Sequence, residues 1–421
     1  VAEHGSLAAP RVEELGELAL IPGAVDPHVH VDEPGRTDWE GFACATRAAA
    51  TGGITTIADM PLNSTPVTTT VEALEAKRGA ARGQCVIDVA FHGGLVPANA
   101  RDTERFEALL RSGIVGVKAF LCDSGLSEFP PVSNQDLAAA MPIVAVAGLP
   151  LLVHAERELA AERPARLPSP RYADYLSSRP AAMERAAIDE LIGLVRATGC
   201  RVHVVHLAAA ETVAALRAAR DEGLPITVET CPHYLTFCAE DVADGDTLLQ
   251  CAPPIREAAN REGLWRAIED GTIDLVASDH SPCPPELKAT PGRPGRFGEA
   301  WGGISSLQLA VAATWTGLRA RGHGLERLVE LTAARPAALL GLERKGRIAP
   351  GADADLVAFD AEAQQVVDAR RLHHRHPSTP YHGGRLFGVA RRTWLRGELV
   401  QAEGEILGEP SGRLLAREGA R

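Results

Sequence analysis

The chain has 421 residues, of which 45% are hydrophobic and 23% charged, with a formal net charge of -12. That balance is ordinary for a globular protein and excludes a disordered or fibrous chain, while interspersed acids without a basic face oppose nucleic-acid binding. Eight cysteines are scattered with no Cys-x-x-Cys pair, which predicts reduced thiols rather than a disulfide framework or a thiolate zinc site.

Residues 1–20 carry several glutamates and no apolar segment, so no secretory leader is expected and the protein is read as cytoplasmic. Eight short apolar runs follow in chain order, at 24–31, 53–60, 85–92, 114–121, 151–156, 201–207, 226–230 and 273–279. Segments of helical period separate them, for example 39–51, 71–82, 181–198 and 212–222, and helices at 305–319 and 326–340 are expected to close the series. This alternation predicts an α/β fold, a (β/α)8 TIM barrel over 22–342, rather than an open doubly wound sheet, since no Gly-rich phosphate loop follows the first run. The two longest stretches free of Asp, Glu, Lys and Arg, 137–155 and 300–318, are interrupted by Pro142, Gly148, Pro150 and His154 and by Gly302, Gly303 and Ser305. Neither predicts a membrane span. Residues 1–21 and 343–421 predict a small β-rich second domain built from the chain termini, its N-terminal part incomplete and its sheet edges open. Within it, 345–360 and 391–401 alternate like antiparallel strands, the second with a hairpin at Gly397, and a polar tail after Ile406 is expected to be mobile.

Barrel enzymes place their chemistry at the C-terminal strand ends. Five of these ends carry metal-ligand residue types: His28 and His30 on the first, Lys118 on the fourth, His154 on the fifth, His206 on the sixth and Asp279 on the eighth. Side chains two apart on a strand share a face, so His28 and His30 form half a metal site. Lys118 lies in an apolar strand in a chain with 39 Arg and only 4 Lys, and burying an ammonium there is costly. By the same alternation His203 is expected on the face opposite His206, and His280 is expected to point away from the site. The group His373, His374 and His376, beside Arg375 and Pro377, reads as a solvated loop.

At these residues the chain resembles the cyclic amidohydrolases, most closely their bacterial allantoinase branch. The resemblance is carried by Pro-Gly-Ala-Val-Asp-Pro-His-Val-His from Pro22, Glu-Pro-Gly-Arg-Thr-Asp-Trp-Glu-Gly-Phe from Glu33, Asp-Met-Pro-Leu-Asn-Ser from Asp59, Glu-Thr-Cys-Pro-His-Tyr from Glu229, Ala-Pro-Pro-Ile-Arg from Ala252 and Ser-Asp-His-Ser-Pro-Cys-Pro-Pro-Glu from Ser278. It implies two divalent metal ions, with His28, His30 and Asp279 on one, His154 and His206 on the other, and Lys118, carbamylated by carbon dioxide, bridging them. It further implies hydrolysis of a cyclic amide, with Asp279 as proton shuttle, and in this branch the ring opened is that of allantoin. A homo-oligomer, commonly a tetramer, is implied as well. Zinc, cobalt, nickel, iron and manganese all suit such ligands, and zinc is the expected ion.

Residues 208 and 209 are Ala-Ala where relatives often carry Ser-Ser. The rival readings are a hydantoinase or dihydropyrimidinase, a dihydroorotase, and a scaffold homologue without catalysis. Hydantoinases usually place a Tyr shortly after the bridging Lys, and residues 119–123 supply none. Dihydroorotases carry an Arg for the substrate carboxylate two residues after the second His, where this chain has Asp32. A scaffold homologue would have lost ligands that are all present. The sequence thus predicts a small neutral ring as substrate, no nucleic-acid or membrane partner, and Asn63, with Asp32, as a candidate substrate contact.

Overall fold

The computed structural model describes residues 12–159, 169–289 and 293–417. After β1 (Ala19–Pro22) come eight barrel strands: β2 (Ala24–Val29), β3 (Ile54–Asp59), β4 (Asp88–Gly94), β5 (Gly116–Phe120), β6 (Leu151–His154), β7 (Val202–Val204), β8 (Ile226–Thr230) and β9 (Leu275–Val276). They neighbour one another in chain order and every pair is parallel. A parallel bridge from Val29 to His280 joins the last strand to the first, with the His30 N–H donating to the His280 carbonyl at 2.8 Å. The runs read as strands because they are short, apolar and buried on both faces, as a helix-wrapped parallel sheet requires. The flanking helices follow their periodicity and caps. Thr70 Oγ1 accepts from the Ala73 N–H to start Val71–Ala81, and Ala181–Thr198 ends at Gly199, whose φ of 65° a side chain would strain.

The eighth run, expected over 273–279, is regular strand only at Leu275–Val276. The closing helix expected over 326–340 is three pieces, Leu325–Val329, a π turn at Glu330–Ala334 and Arg335–Leu340. Among the described residues no helix is long and apolar enough to cross a membrane.

The second sheet has the order β1, β10 (Leu356–Val366), β11 (Arg385–Leu395), β12 (Glu398–Ala402), β13 (Glu405–Ile406), all antiparallel, with Gly397 in the β11–β12 turn. One strand therefore comes from before the barrel and four from after it. The alternation expected from residue 345 is not strand before Leu356. Asp353 and Asp355 repeat at two because both face one buried ammonium, that of Lys345, at 3.1 and 2.7 Å, and Asp88 of β4 completes its shell at 2.6 Å.

Two further expectations are corrected. The tail beyond Ile406 is not loose through residue 417, because it docks on the barrel. Arg413 O accepts from Val89 N at 2.9 Å, Leu415 N donates to Val89 O at 2.8 Å, and Gly412 lies so close that a Cβ would meet the Ile87 carbonyl at 2.0 Å. The His373–His376 segment is a clasp rather than a solvated loop. His374 is buried between Ser305 Oγ and the Gln308 N–H, Arg375 donates to the Glu40 carbonyl, and His376 meets the Asp38 carbonyl. These rings and the guanidinium join the loop to the barrel at long range, which local composition does not reveal.

Candidate metal centre

One cavity of about 710 Å³ is lined by His28, His30, Asn63, Lys118, His154, His206 and Asp279. Lys118 is the middle residue of β5, and the others stand near or just beyond the C-terminal ends of their strands. The His28 and His30 ring centroids are 5.5 Å apart, as are those of His28 and His206, and those of His154 and His206 are 4.6 Å apart. Asp279 Oδ1 lies 3.2 Å from His28 Nε2 and 3.5 Å from His30 Nε2. His28, His206 and Asp279 each offer a donor atom within 4.8 Å of the others.

The backbone at the site departs from ideal strand. Among the described residues six non-glycines have positive φ, and four of them are Asp32 (69°), Asn63 (69°), His206 (40°) and Asp279 (45°), all at ends of barrel strands. Such conformations cost about 1–3 kcal/mol each and persist only where the surroundings enforce them, which marks a functional constraint. They also explain where period-two reasoning failed. Regular β7 ends at Val204 and the left-handed turn at His206 re-aims its ring, so His203 is not on an opposite, outward face. His203 Nε2 instead meets Glu229 Oε2 at 3.0 Å inside the barrel, and its Nδ1 meets Thr227 Oγ1 at 2.8 Å. His280 does point away from the cavity, its Nδ1 accepting from the Ser306 and Leu307 N–H groups.

Lys118 is 1% exposed and its Nζ has no hydrogen-bond partner among the described residues. It stands 5.1 Å from the centroid of the Phe120 ring, which stacks on His154. Burial lowers its pKa to about 8, against the raising effect of Asp279 and Glu229. Burial, with Lys118 next for His28 and His154 next for His206, holds both imidazoles well below their ordinary range and therefore neutral, the form that ligates metals. Burial alone would raise Asp279, but His28 and His30 outweigh it and keep the carboxyl well below the usual range.

Two carboxylates that sequence reading passed over orient these rings. Glu229, fully buried, accepts from His28 Nδ1 at 2.5 Å and from the His206 backbone N–H at 3.2 Å. Glu156 meets His154 Nε2 at 2.7 Å and is itself paired with Arg179. A carboxylate on one ring nitrogen fixes the proton there and presents the other nitrogen to a metal. Glu229 sits in the Glu-Thr-Cys-Pro-His-Tyr motif, yet its partner His28 is 201 residues away, so only the motif's presence hinted at a role. Glu184 performs a related task, with Oε2 accepting from the Ala208 and Ala209 N–H groups at 2.9 and 3.1 Å. The loop after β7 is thus held by backbone, which the missing Ser hydroxyls do not affect.

Asn63 faces the cavity with Nδ2 3.4 Å from His30 Nδ1. Asp32 does not line it: its carboxyl is buried, and burial next to Asp59 and Glu40 raises its pKa well above the usual carboxylate range, against the lowering effect of Asn63. It lies behind the site, outside the cavity lining, so the expectation about substrate charge does not rest on contact with Asp32. The missing Arg remains.

The donor set fits divalent ions: four imidazoles, one carboxylate, and an amine whose lack of a hydrogen-bond partner among the described residues suits conversion to a carbamate. The Amidohydrolase family model matches residues 19–400. The chain is 49% identical to an allantoinase of Streptomyces avermitilis over 98% of this chain and 90% of that one. It is 44% identical to an allantoinase of Arabidopsis thaliana, over 96% and 82%. Its fold is similar to an L-hydantoinase (dihydropyrimidinase) from Arthrobacter aurescens, with a TM-score of 0.91 and 31% identity over 99% and 93%.

Proposed function

The chain belongs to the amidohydrolase family, and from that premise we propose that it hydrolyses the ring amide of allantoin to give allantoate. The observation that carries this reading is the 49% identity to an allantoinase over nearly the whole chain. The hydantoinase reading draws on a shared barrel at lower identity, and residues 119–123 lack the Tyr of that branch.

In this reading His28, His30 and Asp279 would hold one divalent ion and His154 and His206 a second, with carbamylated Lys118 as a ligand common to both; zinc is the expected ion. When bound, such a pair supplies Lewis acidity, acidifying a water and polarising the amide carbonyl. The protein's own groups do the rest. Lys118, partly neutral because its pKa is near 8, takes up carbon dioxide, forming an N–C bond and releasing a proton. Asp279, ionised in the resting site, accepts the proton of the attacking water and delivers it to the ring nitrogen as the C–N bond breaks. A carboxylate and a free ureido nitrogen result. Asn63 hydrogen-bonds the substrate from the cavity wall. Glu229 and Glu156 keep His28 and His154 in the ligating tautomer, and the protein works as a homo-oligomer, expected to be a tetramer.

The test is a ring-opening assay of metal-reconstituted protein on allantoin, hydantoin, dihydrouracil and dihydroorotate. Allantoin is expected to exceed dihydroorotate at least about a hundredfold in kcat/KM, about 2.7 kcal/mol of transition-state discrimination, because Asp32 stands where dihydroorotases carry their Arg and, among the described residues, the Arg that lines the cavity, Arg179, is already paired with Glu156. Comparable values for the two would overturn the assignment.

A further inference from the structure

Adjoining Asp279, outside the cavity lining, lie Cys231 and His233, both fully buried. One donor atom each of Cys231, His233 and Asp279 falls within 4.8 Å of the others. Neither ring nitrogen of His233 has a hydrogen-bond partner among the described residues, although its exposure is 0%. An imidazole sealed from water with both nitrogens unmatched calls for a partner that the described protein atoms do not supply, and an ion is one such partner. A second thiol group, Cys122 with His154 and Glu156, has similar spacing but a different character. There His154 and Glu156 already satisfy each other, and the Arg179 guanidinium sits on Glu156 and 3.8 Å from Cys122 Sγ, where it repels another cation.

We propose that Cys231, His233 and Asp279 form a third cation site, selective for soft divalent ions such as cadmium or excess zinc, and that filling it inhibits the enzyme by drawing Asp279 away from the reaction. Thiolate and imidazole are the donors that soft and borderline ions prefer. As the ion binds, Cys231 loses its thiol proton to solvent, and the sulfur and ring nitrogen anchor a cation that shares Asp279 with the cavity. Because only Asp279 of the three lines the cavity, the ion enters past it, and inhibition develops slowly with time. The inhibitory half of the proposal rests on the role of Asp279 under Proposed function; the binding half does not.

The test titrates cadmium into zinc-loaded protein and follows thiolate-to-cadmium charge-transfer absorption, cadmium content by elemental analysis, and ring opening of allantoin. None of the six residues assigned to the two-ion centre is a cysteine, so the absorption reports only a new site even where cadmium displaces zinc. The wild type is expected to show the band with one equivalent bound through sulfur. Cys231→Ser is expected to lose the band, bind one equivalent fewer and keep its uninhibited rate. Its inhibition midpoint should rise at least about tenfold, the smallest loss seen even for an outer partner of a metal ligand. His233→Gln, which keeps Cys231, should weaken binding in the same direction, so the outcome does not hang on one variant's folding. A band that survives Cys231→Ser, one abolished instead by Cys122→Ser, or equal inhibition of wild type and both variants would overturn the site. Should the band and stoichiometry appear in a protein that does not open allantoin, the site stands and the functional reading falls.

Discussion

Replacing Glu229 by Gln probes the architecture of the centre without changing its volume. The carboxylate accepts three hydrogen bonds, from His28 Nδ1 (2.5 Å), the His206 backbone (3.2 Å) and His203 Nε2 (3.0 Å). Gln offers one oxygen, so its NH2 must face either His28 or His203. Facing His28, it moves that ring's proton to Nε2, the nitrogen 3.2 Å from Asp279 Oδ1, and closes it to a metal. Facing His203, it only reverses a ring whose other nitrogen meets the Thr227 hydroxyl, which can accept as well as donate. The second arrangement is cheaper, so the variant folds, but His28 loses its charge-assisted partner. Losses for such outer partners run about 10- to 100-fold in metal affinity, or about 1.4–2.8 kcal/mol. Competition of metal-free wild type and variant against a chromophoric chelator measures this directly, with thermal melting of the metal-free forms as the control. An affinity within about threefold of wild type, about 0.7 kcal/mol, in a normally folded variant would refute the claim that Glu229 orients His28.

Lys118→Ala is expected to lose metal and activity together, with a short carboxylic acid restoring part of both; unchanged metal content would exclude the bridging role. Since the pKa of Lys118 is lowered to about 8, its neutral fraction rises about tenfold per pH unit below that value and levels off above it. Reactivation of metal-free protein at fixed dissolved carbon dioxide should therefore quicken as pH rises towards 8, and a flat profile counts against carbamylation. Asp279→Asn should lower kcat by about 10² to 10⁴ with the fold intact, and near wild-type turnover at full metal occupancy would rule out the shuttle. Lys77→Met strands the carboxylate of Asp59, which pairs with Lys77 Nζ at 2.6 Å with both side chains fully buried and holds the Val31 N–H at 2.9 Å. Chemical denaturation should show a loss of about 3–5 kcal/mol, partly recovered by adding Asp59→Asn, whereas a loss below about 1 kcal/mol would mean that the pair contributes little.

The barrel was legible because each of its strands is a local statement: a short apolar run, bounded by turn residues and followed by a helical period, has few alternatives in a chain of this length. Ile226–Thr230 and Ala181–Thr198 match their sequence expectations residue for residue. The convergence of His28, His30, Asn63, Lys118, His154, His206 and Asp279 on one cavity follows from the same fact, since a closed parallel barrel brings every strand's C-terminal end to one mouth. What sequence alone left undecided depends on contacts between residues far apart in the chain, or on backbone that leaves the strand period. Glu229 reaches His28 across 201 residues, Arg375 reaches Glu40 across 335, and the tail finds β4 only once the barrel exists to receive it. His206 and Asp279 are aimed by left-handed turns that β-strand alternation cannot anticipate. Local pattern specifies an element because hydrophobic burial acts at the period of that element. The orientation of a buried ring or the raised pKa of a buried acid such as Asp32 is set instead by which charges and hydrogen bonds surround it after folding, and those belong to the tertiary structure.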